Sequence, residues 1–73
     1  MATERASVAR VSEISARSPD SFEDAVRVGV NRATQTLRNV THVWVKELEA
    51  YVEDGEIATF QVNLEVTFDL EDR

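Results

Sequence analysis

His42 and Trp44 are the chain's only imidazole and only indole, and they stand two residues apart in the run VTHVWVKEL. An indole offers a large flat π-surface for stacking on a planar ligand or for packing across an interface. An imidazole is a smaller stacking surface that can also carry a proton or bind a metal. A third candidate is Gln61 in FQVNLEV, whose side-chain amide can both donate and accept. Two carboxylates, Glu47 and Glu65, complete the set. If copies of the chain meet at symmetry axes, their oxygens could hold magnesium, calcium or sodium.

The segments that carry these residues read as strands. Alternation places His42 and Trp44 on one side of Val40 to Leu48, with Val43 and Val45 on the other. From Ala58 to Leu70 the alternation is clean: Ala58, Phe60, Val62, Leu64, Val66, Phe68 and Leu70 face one way, and Gln61, Asn63, Glu65 and Asp69 face the other. The two segments are joined by EDGE, and Asp54-Gly55 suits a type I′ turn, which needs positive φ at both central residues. A bulge near Glu47 to Glu49 would bring Leu48 to the apolar side.

Upstream, SVARVSEI (Ser7 to Ile14) reads as an edge strand because both of its faces carry charge. SPDSFEDA then supplies a helix start, with Ser18 as cap, Pro19 in the first turn, and Asp20, Glu23 and Asp24 at the positive dipole end. Phe22, Ala25, Val26, Val30, Ala33 and Leu37 make one apolar stripe, and Arg38-Asn39 predicts the stop.

The order is therefore β-α-β-β, an α+β domain over residues 1–73 with one helix on one face of a three-stranded antiparallel sheet. The other face is bare and would hold His42, Trp44, Gln61, Asn63 and Glu65. Bare faces with a tryptophan call for a partner. Chain length points the same way: 73 residues bury only about 60% of the unfolded surface, and there is no cysteine to cross-link them.

A formal charge of −6 without a Lys/Arg cluster argues against nucleic acid and anionic membranes as partners. The start, MATERASVAR, lacks an apolar targeting segment, so a cytoplasmic protein is expected. Catalysis finds little footing, with no nucleophile-base pair, no H-E-x-x-H spacing and only two glycines, too few for a phosphate cradle. We expect a binding protein rather than an enzyme. Trp44 is open to two readings, interface packing and ligand stacking, and Gln61 to ligand contact and cross-strand bonding.

In order, SPDSFEDAV, RATQTLRNV, WVKE, EDGEI, FQVNLEVTF and the acidic end LEDR resemble the dodecins over nearly the whole chain. The resemblance implies a hollow homododecamer of cubic symmetry in which the sheet's concave face meets a two-fold-related copy. It also implies flavin binding, with two isoalloxazine rings held between paired tryptophans and a glutamine on the ring edge; Gln61 matches that glutamine. Alignment through VKE puts His42 at the family's tryptophan position, with Trp44 on the same side roughly 6.5–7 Å further along the strand.

Glu49 and Asp69 replace arginines that meet the flavin phosphate in some relatives, which favours riboflavin over FMN. Two functions are thus expected. One is a flavin storage or sequestration protein using Trp44, Gln61 and His42. The alternative is a shell that takes no flavin and has a structural, ion-binding or other small-ligand role.

Overall fold

The structure, a computed structural model, describes residues 6–70. Residues 1–5 and 71–73, which include most of the charged start and acidic end, lie outside the described residues. The elements run β1 (Ala9–Ser18), α1 (Phe22–Thr36), β2 (Val40–Glu53) and β3 (Glu56–Asp69). The strands form one antiparallel sheet in the order β1-β3-β2, so β3 is central and β1 lies at an edge, as its charge pattern predicted.

The clean alternation of β3 follows from its central place. Val62, Leu64 and Val66 are completely buried against α1, whose Ala25, Gly29 and Ala33 form a small-residue stripe at four-residue spacing. This closeness explains the helix glycine. A Cβ added at Gly29 would stand 2.7 Å from Leu64 Cδ1 and 3.1 Å from Ala16 Cβ, so helix and sheet approach too closely for a side chain. Phe22 closes one end of the layer edge-on to Phe60, with ring centroids 5.0 Å apart.

The hairpin turn is as expected, with positive φ at Asp54 (53°) and Gly55 (79°). Other boundaries moved. β1 continues past Ile14 to Ser18, and Ser21, not Ser18, is the N-cap, its hydroxyl accepting from the Asp24 N–H at 2.9 Å. Ser18 serves the turn: its Oγ accepts from the Asp20 N–H at 2.9 Å and donates to Asp24 Oδ2 at 2.7 Å, leaving Pro19 outside the helix. At the other end α1 stops at Thr36 with no basic residue in its last turn, and Asn39 takes positive φ (64°) at the entry to β2.

The irregularity in β2 lies between Val45 and Glu47, one turn of the pleat earlier than predicted, and further register shifts occur at Val40/His42 and Tyr51/Val52. Leu48 falls opposite Val62 as the bulge requires, yet remains 58% exposed because α1 does not extend over it.

Candidate functional site

Pairing builds the face opposite α1 rung by rung. Val11, Thr67 and His42 form one rung; Glu13, Glu65 and Trp44 the next; Ser15, Asn63 and Glu47 the third; Arg17, Gln61 and Glu49 the fourth. His42, Trp44, Gln61, Glu47 and Glu65 therefore share one face, because directly paired residues project to the same side. They are not one cluster. The rungs of Trp44 and Gln61 are four residues of β3 apart, about 13 Å at the usual rise.

At the Trp44 rung, two like charges stand directly opposite each other, an arrangement that destabilises a sheet. Lys46, turned out at the bulge, resolves it. Its Nζ lies 3.0 Å from Glu13 Oε2 and 3.3 Å from Glu65 Oε2, and 6.0 Å from the centroid of the Trp44 ring. Hydrogen bonds that the Lys46 ammonium donates to Glu13 and Glu65 hold its pKa above the ordinary value. Trp44 keeps 60% of its surface exposed. One rung away, His42 is exposed and its Nδ1 lies 3.0 Å from Thr41 Oγ1.

At the other end Gln61 is only 7% exposed and sits within a chain of hydrogen bonds. Its Oε1 accepts from Arg17 Nε at 2.7 Å and from the Tyr51 hydroxyl at 3.0 Å. Its Nε2 donates to Asn63 Oδ1 at 3.0 Å, which also accepts from Ser15 Oγ at 2.8 Å. Asn63 Nδ2 then donates to Glu47 Oε1 at 2.8 Å and Glu49 Oε2 at 2.7 Å. The Arg17 guanidinium also lies over the Tyr51 ring, 5.9 Å from its centroid.

Glu47 and Glu65 are thus occupied by different partners, Asn63 and Lys46. No group of three or more His, Cys, Asp or Glu that could hold a metal ion occurs among the described residues. Asp69 lies at the far end of the face, its N–H bonded to the Asn39 carbonyl at 3.0 Å. No helix among the described residues is long and apolar enough to cross a membrane.

Sequence reasoning missed Arg17, Tyr51 and Lys46. The signal for Arg17 was the register: a β1 ended at Ile14 leaves no residue opposite Gln61, whereas a β1 continued to Ser18 sets Arg17 there.

Comparison with known proteins is consistent with this architecture. A search of curated proteins gave no match. Among solved structures, the dodecin from Streptomyces coelicolor is 40% identical, with 92% of this chain and 96% of that chain covered and a TM-score of 0.86. The dodecin from Streptomyces davaonensis is 39% identical over 90% of this chain and 97% of that one, TM-score 0.85. A calcium-chelating antigen of Mycobacterium tuberculosis, described as a calcium dodecin with a novel calcium-binding site, is 33% identical over 89% and 93%, TM-score 0.77. The family model described as Dodecin matches residues 8–71, and with the β-α-β-β sheet this shows that the chain belongs to the dodecin family.

Proposed function

We propose that this chain binds flavin, as a cytoplasmic homododecamer that stores or sequesters it. The observation that carries this reading is the uncovered sheet face, which presents an exposed indole, Trp44, and an amide, Gln61, two rungs away. Indole is the side chain best suited to stacking on an isoalloxazine ring, and a bound flavin would bring a light-excitable ring that an electron-rich aromatic quenches. In the proposed dodecamer a ring stacked on one protomer's indole would meet a Gln61 at its edge, from the same or a two-fold-related copy. His42, next to Trp44 on the same face, would line the site.

The residues fit riboflavin better than FMN. Glu49 and Asp69 place carboxylates on this face, and a phosphate brought beside them would be repelled. Titrating riboflavin into the purified protein while following flavin fluorescence tests the reading. Saturable quenching at micromolar concentration is expected, together with a dodecamer in native mass spectrometry.

A second reading is a shell that takes no flavin, and one observation favours it: Lys46 already stands over the Trp44 ring, held by Glu13 and Glu65. In that case Glu47 and Glu65, joined by their copies at symmetry axes, would offer oxygen ligands to calcium, magnesium or sodium. A yellow protein with a flavin spectrum as purified would exclude this alternative, and a colourless one would favour it.

A further inference from the structure

The hydrogen bonds around Gln61 run in one direction, and charge sets that direction at both ends. Arg17 can only donate, so it must face an oxygen; Glu47 and Glu49 as carboxylates can only accept, so they must face the Asn63 NH2. With its nitrogen committed to the carboxylates, Asn63 turns its oxygen to Gln61, which must answer with an N–H. Both constraints demand the same orientation of the Gln61 amide, with Oε1 toward Arg17 and Tyr51 and Nε2 toward Asn63.

Counting the capacity of that amide gives an asymmetric result. An amide oxygen has two lone pairs, and Arg17 and Tyr51 occupy both. The nitrogen has two hydrogens, and among the described residues only Asn63 takes one. Asn63 has nothing left: its oxygen accepts from Ser15 and Gln61, and its two hydrogens go to Glu47 and Glu49. The Gln61 amide therefore has one hydrogen left to give and no lone pair left to accept with.

We propose that Arg17 and Tyr51 are positioning residues that make Gln61 a one-way hydrogen-bond donor, so that this amide meets its ligand only through an acceptor atom on the ligand's edge. This inference rests on the flavin reading given above. For an isoalloxazine ring it means that Gln61 meets a carbonyl oxygen or an unprotonated ring nitrogen, and not the N3–H. An amide without such neighbours could serve either role; here Arg17 and Tyr51 remove the acceptor role. Their cation–π contact holds the two donors together on one side of the amide.

The test is riboflavin affinity, read by fluorescence quenching, in the whole protein and its variants, with assembly checked by native mass spectrometry. Gln61→Glu, which keeps an acceptor for Arg17 but has no hydrogen to give, should weaken binding about tenfold or more, and Gln61→Met by a similar factor. Retained or tighter binding by Gln61→Glu overturns the inference. The unsubstituted protein should bind 3-methylriboflavin, which lacks the N3–H, within about threefold of riboflavin. Tyr51→Phe frees a lone pair on Oε1 and should move that ratio about threefold or more in favour of riboflavin; a merely structural role for Tyr51 would weaken both ligands alike. A ratio unchanged by Tyr51→Phe overturns the positioning role.

If the unsubstituted protein leaves riboflavin fluorescence unchanged, it is the flavin reading that fails. The amide is then read in a crystal structure of the ligand-free protein. Gln61 Oε1 within hydrogen-bond distance of Arg17 Nε and the Tyr51 hydroxyl sustains the one-way amide, and Arg17 turned away from it overturns it.

Discussion

Trp44 and Gln61 lie on the same uncovered face of the sheet, yet the residue paired with Trp44, Glu65, is four positions along β3 from Gln61. In the proposed site the stacking side chain and the edge-recognition side chain would thus be held on neighbouring strands, with their rungs about 13 Å apart. The spacing separates what each group contributes, so each can be tested alone.

Removing the stacking surface should act on ligand and not on fold. Trp44→Ala is expected to weaken riboflavin binding by about 1–3 kcal/mol, a factor of roughly 5 to 150, as for other stacked heteroaromatic rings. With 60% of the indole exposed, the protomer's own packing should change little. Isothermal titration together with native mass spectrometry separates the two effects. Unchanged affinity would return Trp44 to an interface-packing role.

Phosphate should be disfavoured for electrostatic reasons. Riboflavin is expected to bind more tightly than FMN, and the gap should narrow as sodium chloride is raised, since screening weakens repulsion from Glu49 and Asp69. Parallel quenching titrations at low and high salt measure this. Equal affinities at low salt would show that neither carboxylate approaches the ligand.

The tight approach of helix to sheet gives a stability prediction. Gly29→Ala places a methyl against Leu64 and Ala16 and should cost about 1–3 kcal/mol through overpacking, although alanine is the better helix former. Leu64→Ala, which empties a fully buried position, should cost about 2–5 kcal/mol. Denaturant midpoints at constant slope check both. Stabilisation by Gly29→Ala would mean that the helix can lift from the sheet without loss.

Lys46 gives a pH dependence of known sign. Its pKa is raised in the folded chain by hydrogen bonds donated to Glu13 and Glu65, so the folded state holds the proton more tightly than the unfolded state does. The stabilisation is fully present below the ordinary value of 10.5 and is lost as pH rises through the higher folded value. Lys46→Met should remove this alkaline component from the stability profile while leaving Glu13 and Glu65 opposed, with lower stability near neutral pH. Identical alkaline profiles for the two proteins would contradict it.

Much of this was legible in the sequence because periodicity reports burial directly. Val62, Leu64 and Val66 alternate because β3 is central, and Asp54-Gly55 marks its turn because few other pairs tolerate two positive φ angles. Boundaries were harder. Ser18 and Ser21 are both good caps with acidic residues downstream, and only the continued pairing of Ser18 with Phe60 decides between them. Local chemistry does not contain that information. The same long-range fact places Arg17 beside Gln61, so the one misplaced strand end also concealed the groups that orient the amide. Lys46 was hidden for a related reason: alternation sets it on the side of Trp44, but only the pairing of Glu13 with Glu65 across β1 and β3 shows the two carboxylates that it joins.

The central claim is that the uncovered face, with Trp44 and Gln61 on it, takes a flavin. Titration of riboflavin into the purified protein, followed by flavin fluorescence, tests it most directly. The account predicts strong, saturable quenching at micromolar concentration that Trp44→Ala weakens. Fluorescence that stays unquenched as riboflavin is added to an assembled, folded protein would contradict it.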